Sequence, residues 1–155
     1  MSYIGAGVLI TDGRHVLAGY QPGRAAVTGF GGKREEGEEP LQTAVRELLE
    51  ELLGLTMTTA IKSFCENWTR ISAEGADYVL FTCSFIDLEE LLLRVVHSPF
   101  YKVPPSTVAD LIFRREVPAD AEVGPLALIP VDGPLHSELL EDIGLWKAKG
   151  ATNCD

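Results

Sequence analysis

The stretch from Pro40 to Gly54 constrains the fold of this chain most, because it predicts a helix with two chemically different faces. Proline suits the first turn of a helix, where its missing N–H would have no partner. Gly54 can end the helix in a left-handed conformation, which glycine adopts without steric cost. We expect the helix to bury an apolar stripe whose residues recur at helical spacing: Leu41, Ala44, Val45, Leu48 and Leu52.

The other side of the predicted helix carries three carboxylates, Glu47, Glu50 and Glu51, within about one helical turn. On an exposed helix, each like-charged pair at such spacing costs roughly a few tenths of a kcal/mol. A bound divalent cation would remove this repulsion, and oxygen-only ligands suit Mg²⁺ or Mn²⁺. The alternative interpretation is a solvated acidic face, because most charge runs are only that.

A glycine pair, Gly31 and Gly32, lies ahead of this helix and is followed by an acidic loop. Because glycine has no Cβ, the backbone there can come close to an ion or a phosphate. Lys33 follows the pair and could meet a phosphate, although a solvated lysine is equally consistent with the sequence. Taken without the helix, the glycines would predict only a flexible turn.

Taken together, the glycines and the helix resemble the Nudix box, G-x5-E-x7-R-E-U-x-E-E-x-G-U, in which U is an aliphatic residue. One position departs from this pattern, since Leu53 stands where the family has glycine and Gly54 follows one residue later. We expect the departure to lengthen the helix by one residue beyond its acidic face. The positions that fall in register are Gly32, Glu38, Arg46, Glu47, Leu48, Glu50 and Glu51.

The resemblance to the Nudix family implies an α/β/α sandwich around a mixed β-sheet and a metal-dependent hydrolase. It implies that the carbonyl of Gly31 and the carboxylates of Glu47, Glu50 and Glu51 bind Mg²⁺, with Mn²⁺ as the other candidate. Arg46 would orient these glutamates. Either Glu47 or Glu50 would take the proton of the attacking water.

Four further residues enter through the same resemblance. Glu38 matches the first glutamate of the box and is expected at the metal or substrate site. The GFGGK sequence at residues 29–33 resembles enzymes that remove oxidised purine nucleoside triphosphates, which makes Phe30 and Lys33 candidate substrate contacts. Nudix enzymes often draw one more acid from a loop ahead of a late strand. Glu122 is our prediction for that metal ligand, and Glu116 is the alternative.

The composition sets limits on the whole chain. Its 155 residues, 46% of them hydrophobic, fit one domain over residues 1–155 with a real core. The formal net charge of −10 argues against broad nucleic-acid binding, which depends on neutralising phosphates with Lys and Arg. Cys65, Cys83 and Cys154 lack metal-ligand spacing and are odd in number, which favours a reducing compartment. With neither a signal-peptide pattern nor a membrane span, we expect a cytoplasmic protein.

The other predicted elements alternate between strands and helices. The proline-rich part of the segment from Leu88 to Pro125 is longer than a usual connection, and that segment could serve a homodimer interface. The predicted strands are Tyr3–Ile10, Val16–Tyr20, Met57–Phe64, Tyr78–Ile86, Val108–Phe113 and Ala127–Val131, and the further predicted helices are Leu88–His97 and Leu135–Lys147.

The sequence therefore predicts a Mg²⁺-dependent pyrophosphohydrolase that cleaves a phosphoanhydride bond in a small nucleoside di- or triphosphate derivative by activating water. An RNA-cap or dinucleoside polyphosphate hydrolase is an alternative, although the acidic balance gives it no support. A catalytically inactive module that binds a nucleotide or a partner protein is another. The complete set of Glu47, Glu50 and Glu51 argues against the inactive module.

Overall fold

The computed structural model describes residues 3–56, 65–133 and 137–150, and these ranges contain one mixed sheet with helices on both faces. The strands are β1 (Gly5–Thr11), β2 (His15–Gln21), β3 (Ala26–Thr28), β4 (Phe30–Lys33), β5 (Thr69–Arg70), β6 (Tyr78–Cys83) and β7 (Leu126–Pro130). The helices are α1 (Pro40–Leu53), α2 (Phe85–Leu92), α3 (Val108–Phe113) and α4 (Ser137–Ala148), with a short 3-10 turn at Pro22–Arg24.

The sheet is centred on β1, which touches three other strands. The path β3-β2-β1-β6-β5 forms the main sheet, while β4 also pairs with β1 and β7 with β2. Only β1 and β6 run parallel among the described pairs; the rest are antiparallel. The register of β4 on β1 places Gly31 opposite Gly7 and Gly32 opposite Ala6. The glycine pair is thus held in a sheet at fixed register.

The two faces of the sheet are buried by different helices. Ala6, Val8 and Ile10 of β1 belong to a core that also contains the apolar stripe of α1 and buried residues of α2 and α3. Leu9 points the other way, because side chains alternate along a strand. It joins a second core with Ile143 and other residues of α4. The layers are therefore α/β/α, as predicted, and buried apolar surface on both faces holds them together.

Both ends of α1 are capped. At the start, the side chain of Gln42 accepts a hydrogen bond from the N–H of Glu39, which is the residue preceding Pro40. At the end, Gly54 adopts a left-handed φ of 67° and its N–H donates to the carbonyl of Glu50. Leu53 keeps helical geometry. The helix therefore continues through the position where the Nudix pattern has glycine, and its terminal glycine lies one residue later, as predicted.

The boundary between β6 and α2 differs from the prediction. The predicted strand Tyr78–Ile86 ends at Cys83, and the helix predicted at Leu88–His97 already begins at Phe85. The cause is a capping box: the N–H of Asp87 donates to Ser84 Oγ and the N–H of Ser84 donates to the Asp87 carboxylate. These two bonds turn the chain out of the sheet. Beyond α2 the chain continues in turns rather than in helix.

The strand predicted at Val108–Phe113 is wrong, because these residues form helix α3. Thr107 precedes the helix, and its hydroxyl accepts a hydrogen bond from the N–H of Asp110. Val108 and Leu111 are both buried and lie three residues apart, which puts them on one side of a helix. Capping and burial here outweigh the strand preference of the β-branched residues.

The remaining element predictions fall close to the observed bounds where the chain is described. The strand predicted at Met57–Phe64 lies outside the described residues, as do the first two residues of the helix predicted at Leu135–Lys147. Four exposed apolar side chains lie within the segment predicted to serve a homodimer contact: Leu93, Val96, Val103 and Phe113. That contact stays a prediction. Within the described ranges, helices are too short or too polar to cross a membrane.

Substitution of Gly54 by alanine should destabilise the protein. The left-handed φ strains any L side chain, and the new Cβ would lie 2.8 Å from Pro99 Cγ and 2.9 Å from Phe100 Cζ. We expect the free energy of unfolding in urea to fall by more than about 1 kcal/mol. Gly37→Ala is a matched control, since Gly37 has a φ of +84° but open space around it. An equal or smaller loss for Gly54→Ala than for Gly37→Ala would contradict the contact with Pro99 and Phe100.

Candidate active site

Strand β4 and helix α1 meet at the glycine pair. The N–H of Gly31 donates a hydrogen bond of 2.9 Å to Glu51 Oε1. A Cβ on Gly32 would collide with the carboxylate of Glu47. Gly32 therefore lets Glu47 lie directly against the strand, while a Cβ on Gly31 would collide with the Tyr78 hydroxyl. The place of the glycine pair in the sheet excludes a flexible turn.

Glu51 is the most deeply buried carboxylate of the site. The residue is only 4% exposed, and its Oε2 has no hydrogen-bond partner among the described residues. Burial raises the pKa of Glu51 to about 9, the Gly31 N–H opposes that rise, and the charges of Glu122, Glu47 and Glu50 add to it. A buried oxygen without a partner is costly, and a cation bound there would offset that cost.

Glu47 and Glu50 have different surroundings. The Glu47 side chain is 14% exposed, whereas that of Glu50 is 43% exposed. Burial raises the pKa of Glu47, the neighbouring Arg46 lowers it, and the charges of Glu50 and Glu122 raise it again. The structure thus gathers carboxylates that repel one another at one end of β4, which a divalent cation would relieve.

The fourth acid of this group comes from the loop ahead of β7. Glu122 and Ala121 line a small cavity of about 80 Å³ together with Glu50, Glu51 and other residues. By contrast, Glu116 lies in an exposed ion pair with Lys102, with 3.6 Å between Nζ and Oε1. The structure therefore brings Glu122, and not Glu116, to the helix carboxylates. Its role as a metal ligand stays a prediction.

The site fits a hard divalent cation in ligand type, because its donors are carboxylate oxygens and one of them is buried and unpartnered. It is not a closed cage. Over the described ranges, no group of three or more His, Cys, Asp or Glu side chains converges closely enough to hold an ion as it stands. Binding would therefore require side-chain adjustment.

Arg46 connects α1 to the loop that precedes it. The residue is 7% exposed, and its guanidinium donates to both carboxylate oxygens of Glu38, at 2.7 and 3.1 Å. It also donates to the carbonyl of Lys33 at 2.8 Å and to Glu50 Oε1 at 3.3 Å. Burial raises the pKa of Glu38, but hydrogen bonds from Arg46, the Glu35 N–H and Thr43 outweigh it and leave that pKa below its ordinary value. This is a buried network rather than a surface ion pair.

A cavity of about 640 Å³ adjoins the glycine pair. Its walls include β4, the start of β1 and α4, and Asp142 of α4 reaches within 3.5 Å of where a Cβ of Gly29 would stand. Exposed Lys33 also lines it, and its predicted contact with a phosphate stays a prediction. Phe30 is only 2% exposed and its side chain packs in the core beneath α1. Its ring is thus held away from solvent, and its predicted substrate contact stays a prediction.

Comparison with known proteins decides the family. A family model described as the NUDIX domain matches residues 1–123. The chain belongs to the Nudix family. This confirms the predicted family and the predicted class of enzyme, a hydrolase acting on phosphoanhydride bonds. A search of curated proteins found no match.

Solved Nudix structures share the fold. A UDP-X diphosphatase has a TM-score of 0.53 at 12% identity, covering 99% of this chain and 66% of its own. A Nudix hydrolase from Nitrosomonas europaea has a TM-score of 0.53 at 16% identity, covering 96% and 90%. A bifunctional NMN adenylyltransferase/ADP ribose pyrophosphatase from Francisella tularensis, complexed with AMP and a Mn ion, has a TM-score of 0.51 at 15% identity. That match covers 97% of this chain and 42% of the other.

The structure brings the predicted site residues together, and their roles stay predictions. The residues gathered where α1 meets β4 are Gly31, Glu47, Glu50, Glu51 and Glu122, with Arg46 hydrogen-bonded to Glu38 beside them. Sequence reasoning missed Arg115, whose guanidinium hydrogen-bonds to the end of α1. Arg115 directly follows Arg114 in a proline-rich stretch, and its place in the sequence carries no spacing signal that would have identified it.

Removal of the Arg46 guanidinium should destabilise this Nudix domain strongly. In Arg46→Met, the Glu38 carboxylate, whose side chain is 9% exposed, would lose its charge partner. We expect the free energy of unfolding in urea to fall by about 3 kcal/mol, because an uncompensated buried charge remains. Adding Glu38→Gln to this variant should recover part of the loss. A loss below about 1 kcal/mol would mean that the pair behaves like an exposed one.

Proposed function

We propose that the protein is a Mg²⁺- or Mn²⁺-dependent hydrolase that cleaves a phosphoanhydride bond in a small nucleoside di- or triphosphate derivative. The observation that carries this proposal is the buried Oε2 of Glu51, which has no hydrogen-bond partner among the described residues, in a carboxylate on which the charges of Glu122, Glu47 and Glu50 act. A purely structural helix would gain stability by replacing that oxygen with an apolar or paired group. Its presence supports a site built for a cation.

The residues of this site have separate roles in binding the cation and in handling the substrate. Glu47, Glu50, Glu51 and Glu122, with the carbonyl of Gly31, would hold the cation. When bound, such an ion polarises phosphate oxygens and lowers the pKa of water. The protein's own groups then orient the substrate, exclude bulk water and accept a proton.

Two glutamates are candidates for accepting the proton of the attacking water. Glu47 lies against Gly32, and burial raises its pKa, which makes it a stronger base than an ordinary glutamate. Glu50 is more exposed, and both of its oxygens lie within 3.4 Å of the Arg46 guanidinium, which holds the carboxylate in one orientation. Either group would serve as the general base, and Arg46 supports both.

The cavity beside the glycine pair supports a compact nucleotide as the substrate. Its volume of about 640 Å³ falls in the range that small-molecule sites occupy. Lys33 and Arg24 are the cationic side chains on its wall within the described part of the chain. Metal ions would therefore neutralise most of the phosphate charge, which favours a free nucleotide over a long RNA.

Glu51→Gln should abolish turnover while the fold persists. The amide keeps an oxygen for the Gly31 N–H but cannot ligate a cation as an anion does. We expect the hydrolysis rate to fall by more than about 100-fold, the upper end of the loss seen when a group that merely orients a metal ligand is removed. Mn²⁺ should raise the melting temperature of the wild-type protein by mass action and leave that of Glu51→Gln unchanged.

The matched control for this test is Glu90→Gln on the exposed side of α2. It removes the same charge far from the carboxylate group and should keep both the Mn²⁺-dependent melting shift and the turnover. Near-normal turnover in a folded Glu51→Gln protein would rule out the proposed role of this glutamate.

Substrate class can be tested with a panel of free nucleotides and capped RNA at low and moderate salt. We expect Mg²⁺- or Mn²⁺-dependent release of phosphate or pyrophosphate from nucleoside di- or triphosphate derivatives, with only a mild effect of monovalent salt. Capped RNA would need contacts along its backbone. Each contact would make the logarithm of the affinity fall more steeply with the logarithm of the salt concentration, by about 0.7 in the slope. Activity on capped RNA alone, lost as salt rises, would favour the cap-hydrolase alternative. Nucleotide binding without hydrolysis of any substrate would favour the inactive module.

A further inference from the structure

Arg115 binds backbone carbonyls from two separate segments of the chain. Its Nη1 donates to the carbonyl of Leu52 at 2.6 Å, and its Nη2 donates to that of Glu51 at 2.7 Å. On the other side, Nε donates to the carbonyl of Gly124 at 2.7 Å and Nη2 to that of Val123 at 3.1 Å. One planar group with donors fixed in a fork therefore joins the end of α1 to the loop before β7.

Two aromatic rings fix the plane of this guanidinium. Its central carbon lies 5.2 Å from the centre of the Phe100 ring and 5.9 Å from that of Tyr101. The Tyr101 hydroxyl accepts a further bond from Arg115 at 3.1 Å and donates to the carbonyl of Leu111 at 2.6 Å. Cation–π contact and hydrogen bonding together leave the side chain one orientation.

The two segments joined by Arg115 both carry carboxylates of the site. Glu51 supplies its carbonyl to Arg115 and its side chain to the site. Val123 and Gly124, which also bind Arg115, directly follow Glu122. The last carbonyls of a helix have no partners within the helix, so a cation at that end also stabilises α1. The loop at residues 114–125 is irregular, and the N–H of Gly124 ties it to the carbonyl of Tyr20 in β2 at 2.7 Å. The bonds of Arg115 add the connection from this loop to α1.

We propose that Arg115 is a positioning residue that sets the place of Glu122 relative to Glu51 and thereby the affinity of the site for a divalent cation. This inference rests on the proposed function. Arg115 hydrogen-bonds to backbone carbonyls of the two segments that carry the carboxylates. It therefore affects the site by holding those carboxylates in place and does not contact the substrate.

The test is a double-mutant cycle on Mn²⁺ affinity, measured by titration of the full chain without substrate. Arg115→Lys keeps the charge but cannot join four carbonyls, and we expect it to weaken Mn²⁺ binding about tenfold, as loss of a group that orients ligands does. Glu122→Gln should weaken it by at least as much. The double variant should bind no more weakly than Glu122→Gln alone, because helix α1 still holds Glu51 and Arg115 then has no Glu122 carboxylate left to position.

Arg114→Lys is the matched control, since the neighbouring Arg114 is exposed and pairs with Asp110 at 3.5 Å. It should leave Mn²⁺ affinity unchanged. Glu122→Asp gives a second test that leaves Arg115 in place and the fold undisturbed. The shorter side chain falls short by about 1.5 Å, one carbon–carbon bond. If Arg115 holds the loop, the loop cannot move to compensate, and Mn²⁺ binding should weaken about as much as in Glu122→Gln.

The outcomes separate this inference from the proposed function. If the wild-type protein binds Mn²⁺ and Arg115→Lys binds it with the same affinity, the role of Arg115 alone is overturned. The same holds if the losses of affinity in Arg115→Lys and Glu122→Gln multiply in the double variant. It also holds if Glu122→Asp keeps near-wild-type affinity. No Mn²⁺ binding by the wild-type protein would overturn the proposed function, and the inference with it.

Discussion

The hydrogen bond from the Gly31 N–H to Glu51 Oε1 joins the sheet to helix α1, and the rest of the site depends on it. Position 31 itself has no room for a side chain, because a Cβ on Gly31 would collide with the Tyr78 hydroxyl. The hydrogen bond also holds a carboxylate in the interior, where the second oxygen finds no partner among the described residues. Natural proteins tolerate such a cost chiefly where function requires it.

Two arginines hold the same helix in place, one at its middle and one at its last turn. Arg46 ties the body of α1 to the carbonyl of Lys33 and to Glu38 in the preceding loop. Arg115 ties the last turn of α1 to the loop that carries Glu122. The planar fork of guanidinium suits both tasks, because it can bind several oxygens in fixed directions at once. The carboxylates between these two anchors are thus oriented by side chains that need not touch a substrate.

The sequence predicted best where a local signal and the tertiary fold agree. Pro40 and Gly54 mark the ends of α1 correctly, and the one-residue displacement of the terminal glycine appears in the structure as a longer helix. Val108–Phe113 failed because β-branched residues suggested a strand while Thr107 capped a helix. For α2, the capping pair was present in the sequence as Ser84 and Asp87 and was overlooked.

Contacts between distant segments could not be predicted in the same way. Glu122 and Glu116 have the same chemistry and both lie in the loop ahead of β7, and only the folded path places the first beside Glu51. Arg115 becomes identifiable only when the carbonyls of residues 51, 52, 123 and 124 are seen to converge on it. Backbone acceptors carry no residue signature, because every residue has the same carbonyl.

The last helix has a consequence for how such proteins diversify. Glu141, Asp142 and Leu145 of α4 line the large cavity, yet they lie beyond residue 123, where the Nudix family match ends. The carboxylates of α1 and this one side of the cavity are therefore encoded in separate stretches of the gene. Mutation of the second stretch can reshape the compartment for a ligand and leave the first untouched. The residues of the Nudix box then carry little information about substrate specificity. Two relatives with identical glutamates can act on different molecules.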